Sequence, residues 1–313
     1  MSAGERVRCR SKIIGYPYRE GHHTHSLTHS LAHPMSTTKK ALVIGINYVG
    51  TSSELSGCVR DTLKVVALLK KYYGYKSDEI HLLVDTLEKN VDEKSIRDAD
   101  QAVFGSPTRA RIEEGLQWLA SGAKAGDRRF IHYSGHGTYL RDRNGDEADG
   151  QDEALCPVDY ATAGMIVDDD IRSTLVDPLP AGCCLFGVLD CCHSGTAMDL
   201  PQLALLHERS CGREPKVSDK RTGERTVAAT VAVFTGCRDS QTSADAWFGG
   251  QAMGAMSRSW TTSLKRWHDV HDGPPSFKKM LRLNLKFMKR KGFTQRPQLN
   301  TSAGFDYDQP MLL

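Results

Sequence analysis

The pattern of apolar and polar positions changes at Lys39. Residues 1–38 hold His22, His23, His25, His29 and His33 among Ser and Thr, with few large apolar side chains. Such a stretch buries too little apolar surface to offset its ordering entropy, so it predicts a disordered tail. Histidine clusters of this kind also bind metals weakly. From residue 39 onward, short β-branched runs alternate with amphipathic stretches. Residues 41–46 (ALVIGI) form an apolar run suited to a strand buried on both faces. Val59, Leu63, Val66, Leu69 and Tyr73 recur at helical spacing, and Gly74 ends the run. Residues 80–84 read as a second strand. Thr108 suits an N-cap for a helix to residue 120, with Ile112, Leu116 and Leu119 on one face. Residues 129–134, 184–190 and 230–235 read as three more strands, followed by helices near 257–268 and 276–289. Strands alternating with helices predict an α/β fold with a mainly parallel central sheet, flanked by helices on both faces.

The 313 residues suit one large domain or two medium ones. Residues 202–226 are polar, lack periodicity and contain Gly212, Pro215 and Gly223. They read as an exposed linker between a larger part, 39–201, and a smaller part, 227–313, that shares the same sheet. Mean hydropathy is −0.43, and no apolar run approaches the ~20 residues that span a bilayer. The formal charge of +3 is too small to indicate nucleic acid as a partner. The nine cysteines are odd in number, and 183–184 and 191–192 are adjacent pairs. The basic tail (Arg6, Arg8, Arg10, Lys12, Arg19) lacks the apolar core of a secretory signal. Free thiols in a reducing, cytoplasmic setting are the expectation, with organelle targeting by the tail left open.

Ligands of open parallel sheets bind beyond the carboxyl ends of the strands. Two of those ends carry reactive groups. One runs into Tyr133-Ser134-Gly135-His136-Gly137, the other into Asp190-Cys191-Cys192-His193-Ser194-Gly195. A histidine and a cysteine on adjacent strand ends make a base and a nucleophile, because the imidazole favours the thiolate. On the bare sequence either Cys191 or Cys192 could serve. Asp61, read alone, is an acid in the first turn of a helix, where the dipole favours it.

The segments Ser134–Gly137 and Asp190–Gly195 resemble the metacaspases, caspase-related cysteine peptidases. Further segments appear in the same order: Gly57-Cys58-Val59-Arg60-Asp61, Asp146-Glu147-Ala148-Asp149-Gly150, Val167-Asp168-Asp169-Asp170 and Phe234-Thr235-Gly236-Cys237-Arg238-Asp239. The resemblance runs from Lys40 to the C-terminus. It is to a type I-like core with a short linker and without a Pro/Gln-rich prodomain. It implies a caspase-like fold and a monomer. It makes His136 the general base and Cys192, directly before His193-Ser194-Gly195, the nucleophile. It leaves Cys191 as packing and His193 as a structural residue. The backbone N–H groups of Cys192 and Gly137 become the oxyanion donors. No third member of the dyad is evident. The resemblance also implies protein or peptide substrates cut after Arg or Lys, with Asp61 and Asp190 as the carboxylates that meet the cation and Cys58 and Ser134 lining the same pocket. Asp245 adds to the negative wall.

Between residues 142 and 170 stand Asp142, Asp146, Glu147, Asp149, Asp152, Glu153, Asp159, Asp168, Asp169 and Asp170, with Arg143 the lone base. Such density repels itself unless a cation neutralises it, and oxygen-rich sites favour Ca²⁺. Glu147 stands where an EF-hand loop needs Gly, and no helix pair flanks the run, so that motif is excluded. The calcium-dependent metacaspases imply a set of Asp152, Asp168, Asp169 and Asp199 instead. The expectation is a Ca²⁺-dependent, Arg/Lys-specific cysteine endopeptidase that processes itself in its linker. The alternative is a calcium-responsive scaffold with little proteolysis, which the presence of both His136 and Cys192 disfavours.

Overall fold

The computed structural model describes residues 37–86, 103–141, 151–191, 198–205, 215–219, 226–236, 254–293 and 295–313. The His-rich tail lies outside them, as do Cys192, His193, the acids at 142, 146, 147 and 149, and Asp245.

The five expected strands form: β1 (Lys39–Gly45), β2 (Ile80–Val84), β4 (Arg128–Ser134), β8 (Cys184–Asp190) and β11 (Thr230–Thr235). A short strand that the sequence pattern does not predict, β3 (Val103–Gly105), joins them by pairing with β2. These strands run parallel in the order β11-β8-β4-β1-β2-β3. Beyond β11 the sheet turns antiparallel through β12 (Gln298–Thr301), β9 (Gln202–Leu205) and β10 (Lys216–Asp219). The linker reading of 202–226 is therefore corrected at two places: both 202–205 and 216–219 are strands. The run Leu203-Ala204 explains the first, since both side chains are buried against the sheet. Pairing with β9 fixes β10, whose own sequence carries no strand pattern.

Side chains of the central strands alternate between two cores. Ala41 and Val43 of β1, Phe186 and Val188 of β8, and Ala232 and Phe234 of β11 enter one. Leu42, Ile44, Leu185, Leu189, Val231 and Val233 enter the other. This period of two is what a strand buried on both faces requires. The first core is covered by α1 (Cys58–Tyr73), α5 (Ala255–His268) and α6 (Phe277–Arg290), through Leu63, Val66, Trp260, Leu264, Phe277 and Met280. The second is covered by α2 (Arg109–Ala120), through Ile112, Leu116 and Leu119. Thr108 caps α2 as expected, accepting the Arg111 N–H, and Ser276 caps α6, accepting the Lys279 N–H.

A second, three-stranded sheet stands at the carboxyl end of β4. It comprises β5 (Gly137–Arg141), β6 (Gln151–Leu155) and β7 (Ile166–Val167), followed by the short helix α4 (Asp168–Ile171). A one-turn helix, α3 (Tyr160–Ala163), bridges β6 and β7. Among the described residues, no helix is long and apolar enough to cross a membrane.

Candidate active site

Register sets the site. Ser134, the last residue of β4, pairs with Asp190, the last of β8. His136 follows Ser134 by two residues, and Cys192 follows Asp190 by two. Cys192 lies outside the described residues. Cys191 is buried in the second core, the packing position expected for it.

His136 is held from four sides. Its backbone N–H donates to the Tyr48 hydroxyl at 3.0 Å, and its carbonyl accepts from the Tyr133 hydroxyl at 2.7 Å. The Tyr48 ring packs against the imidazole at 4.7 Å between centroids. Nε2 lies 2.8 Å from the Ser53 carbonyl. A carbonyl only accepts, so Nε2 carries the ring proton and Nδ1 is left as the basic nitrogen. Burial lowers the His136 pKa, partly offset by the Ser53 bond, which keeps the ring neutral and able to take a proton.

Tyr48, Tyr133, Ser53 and Asp85 were not singled out from the sequence. Asp85, at the end of β2, accepts the N–H groups of Asn47 and Tyr48 at 2.5–3.0 Å. That contact steadies Tyr48, whose φ of 52° is left-handed and unfavourable for a non-glycine residue. The Tyr48 hydroxyl donates on to the Cys156 carbonyl at 2.6 Å. Gly135 is required here, because a Cβ at that position would stand 2.9 Å from Tyr133 Oη and 3.0 Å from Tyr48 Oη. These groups act through a carbonyl, two hydroxyls and a carboxylate set against backbone, and the sequence gives no role to any of them.

Gly137 opens β5 opposite Leu155. The bond across the ladder runs from Cys156 N–H to the His136 carbonyl at 3.2 Å. In that pattern Gly137 and Leu155 are a non-hydrogen-bonded pair, so the Gly137 N–H points away from β6. It is available as an oxyanion donor beside His136.

The four residues expected to line the substrate pocket lie near one another and are all buried: Cys58 and Asp61 from α1, Ser134 from β4 and Asp190 from β8. Both carboxylates flank the N-terminus of α5. Asp190 Oδ2 accepts the Ser257 N–H at 2.6 Å. Asp61 Oδ2 lies so close to Gly254 that a Cβ there would stand 2.5 Å from it. The other oxygen of Asp61 pairs with Lys64 at 2.8 Å. Burial raises the Asp190 pKa to about 8, opposed by its bonds to Ser257, with the Asp61 charge adding to the rise. Burial likewise pushes the Cys58 thiol up to about 12, so it stays protonated beside Ser134.

The acidic set divides. Asp152, Asp168 and Asp199 are deeply buried and joined by Glu153, while Asp169 is only half-buried and its N–H donates to Asp168 Oδ1 at 3.1 Å. Burial first, then the charges of Asp199 and Asp152, raise the Asp168 pKa to about 7, with Glu153 bonded to it. Asp168 Oδ2 is buried with no donor among the described residues. Met198 and Asp199 both adopt left-handed backbone, φ 72° and 53°. The buried Arg172 guanidinium donates to the Asp199 carbonyl and secures that turn. Among the described residues, no three His, Cys, Asp or Glu side chains already converge as a metal site. The donor set, all carboxylate oxygen with Asp168 Oδ2 lacking a donor among the described residues, nonetheless fits a hard cation in its chemistry.

Comparison with known proteins agrees with this arrangement. Residues 39–201 match the metacaspase, peptidase C14 domain. Metacaspase-1 of Cryptococcus neoformans is 38% identical over 307 residues, covering 86% of this chain, and the chain spans 63% of that relative's length. Metacaspase-1A of Neurospora crassa is 34% identical over 359 residues, 95% of this chain and 74% of its own. Metacaspase-1 of Mycosarcoma maydis is 33% identical over 312 residues, 88% of this chain and 73% of its own. Among solved structures, protein GSU0716 from Geobacter sulfurreducens superposes with a TM-score of 0.55 at 21% identity, over 88% of this chain and 98% of that one. That likeness concerns the fold alone, a parallel sheet between helices. With the domain match, the relatives and the caspase-like sheet in accord, the chain belongs to the metacaspase family.

Proposed function

We propose that this chain is a cysteine endopeptidase that cleaves proteins and peptides after Arg or Lys, and that Ca²⁺ switches it on. The observation that carries this reading is the convergence of Asp61 and Asp190, buried, on the N-terminus of α5 beside the strand ends that lead to His136 and Cys192. A buried pair of carboxylates suits a cationic side chain and repels an acidic one.

In the proposed reaction, His136 Nδ1 takes the proton of the Cys192 thiol as sulfur attacks the scissile carbonyl carbon. The carbonyl electrons move to oxygen, which the N–H groups of Gly137 and Cys192 stabilise. The intermediate collapses to a thioester, and the leaving amine takes the proton from His136. Water then gives its proton to His136, attacks the thioester and releases the carboxyl product, while the thiol regains that proton. Ser53 holds Nε2 throughout, so the ring cannot rotate away from its task.

Asp152, Glu153, Asp168 and Asp199 are the residues proposed to hold Ca²⁺, with Asp169 beside them. The bound ion would neutralise a group of acids that otherwise repel one another. This chain's part is to present Asp199 on the turn that follows β8, seven residues after Cys192. Exposed Lys216 on the edge strand β10 opposes extension of the sheet by a second copy, which supports a monomer.

The test is hydrolysis of reporter peptides ending in Arg, Lys or Asp, with excess EGTA and then with millimolar Ca²⁺, using wild type and Cys192→Ala. Cleavage after Arg and Lys only, dependent on both Cys192 and Ca²⁺, is the expected result. Cleavage after Asp, or full activity in EGTA, overturns the corresponding half of the proposal.

A further inference from the structure

Behind the pocket carboxylate lies a chain of groups that the reaction does not use. His132, on β4, is fully buried. Its Nε2 lies 2.8 Å from Ser257 Oγ, and its Nδ1 has no partner among the described residues. Ser257 sits in the first turn of α5, and its N–H donates to Asp190 Oδ2 at 2.6 Å. The Ser257 hydroxyl and the Met256 N–H bond Asp190 as well. Asp190 therefore caps α5 from another element, which the lone turn before Ala255 does not do, since Gly254 offers no side-chain cap.

The direction of the chain follows from its ends. The Asp190 carboxylate accepts, so the Ser257 hydroxyl donates to it. Ser257 Oγ must then accept from His132, which places the proton on Nε2 and leaves Nδ1 as the empty acceptor. Burial lowers the His132 pKa to about 3, so the ring stays neutral and sets no cation behind the pocket to compete with a substrate's.

We propose that His132 and Ser257 are positioning residues for substrate charge selection: the donor chain His132 Nε2–H, Ser257 O–H, Asp190 anchors one edge of the carboxylate and turns the other toward a substrate guanidinium or ammonium. The inference rests on the reading of Asp190 as a substrate-binding residue. Among the described residues, the titratable and charged groups that face Asp190 are Asp61 and Cys58 from α1 and, through Ser257, His132 from β4, with Lys64 drawn off by Asp61. Asp190 binds a cation as its ionised form. Its raised pKa means that this form grows as pH rises toward and past 8, so KM for an Arg peptide falls over that range. Removing the Ser257 hydroxyl takes away a bond that favours ionisation, and the fall in KM moves to higher pH.

The experiment compares wild type, Ser257→Ala, Ser257→Thr and Asp190→Asn on an Arg reporter from pH 6 to 9, and measures the Ki of agmatine as a bare guanidinium ligand. Expected for Ser257→Ala is a KM and Ki raised about tenfold, a kcat within about twofold of wild type, and an upward shift of the pH midpoint. Ser257→Thr, which keeps the hydroxyl, restores all three. Nitrogen-15 NMR of histidine-labelled wild type should find His132 neutral at every pH from 5 to 9, and as the Nε2–H tautomer at pH 9, where Asp190 is ionised. That measurement needs no variant and decides alone if Ser257→Ala does not fold. A His132 that titrates in that range, or a Ser257→Ala protein with wild-type KM while Asp190→Asn has lost Arg binding, overturns the inference. An Asp190→Asn protein that still prefers Arg overturns the substrate reading itself.

Discussion

At the scale of single residues, what distinguishes this site is how much of it is backbone and hydroxyl. His136 is aimed by the Ser53 carbonyl and the two tyrosine hydroxyls of Tyr48 and Tyr133. Tyr48→Phe deletes the acceptor of the His136 N–H, which is partly buried, while the Cys156 carbonyl keeps the Tyr133 hydroxyl at 3.0 Å. One unsatisfied N–H costs about 1–3 kcal/mol. Thermal denaturation should show Tyr48→Phe several degrees less stable, and steady-state assays should show kcat down about tenfold with KM little changed. An unaltered kcat would mean that Tyr48 does not orient the base. The adjacent cysteines should separate in the same assays. Cys192→Ala should abolish turnover at an unchanged melting temperature, because the acylating group is gone. Cys191→Ala should keep most turnover and melt lower, because Cys191 is buried in the second core. The opposite pattern would exchange the two assignments.

At the scale of elements, what the sequence made legible follows periodicity. The β-branched runs at 41–46, 80–84, 129–134, 184–190 and 230–235 became central strands because both faces of each are buried, and an apolar run has no other stable place. The edge of the sheet was not legible. β10 exists through pairing with β9, and β12 (Gln298-Leu299-Asn300-Thr301) is buried despite three polar side chains, because it lies between β11 and β9. In the site, the carboxylates proposed for the pocket came from the metacaspase resemblance, whereas Ser53, Arg172 and Glu153 had no such signal, since each serves through a contact between distant segments. The acidic loops show the consequence. Asp168 is buried among like charges, so its ionised form destabilises the fold, and the proposed Ca²⁺ would offset that. Asp168→Asn keeps the shape and removes one charge. Differential scanning calorimetry in EGTA should find it a few degrees more stable than wild type, and added Ca²⁺ should raise the wild-type melting temperature but not the variant's. Mg²⁺ should give little shift at equal concentration, since it holds its water and demands octahedral geometry. A wild-type protein whose melting point ignores Ca²⁺ would remove these residues from any metal role.

At the scale of the whole molecule, the larger and smaller parts of the chain are one sheet. β8 pairs directly with β11, and β9, from the segment between them, pairs with β12 near the C-terminus. A cut in that segment would leave the fragments joined by these ladders and by the core that α5 and α6 share with α1. A peptidase specific for basic residues carries its own substrate there: Arg209, Arg213, Lys216, Lys220, Arg221 and Arg225. Lys216 is the one of them that lies among the described residues. Lys216 pairs with Leu205 in the β10–β9 ladder, so its peptide bond is already hydrogen-bonded in a sheet and must be unzipped before a cleft can bind it. Proteolysis favours backbone that is free to extend into the protease, and tethering raises the local concentration of the remaining sites. Ca²⁺ should therefore trigger cleavage after one or more of Arg209, Arg213, Lys220, Arg221 and Arg225, and not after Lys216. Mass spectrometry of wild type and Cys192→Ala after Ca²⁺ addition reads the new termini directly, and size-exclusion chromatography should recover the fragments as one particle. Termini that appear in both proteins would point to a contaminating protease. A dominant cut after Lys216 would show that β10 opens before cleavage, and an uncut wild type that still hydrolyses Arg reporters would separate activity from processing.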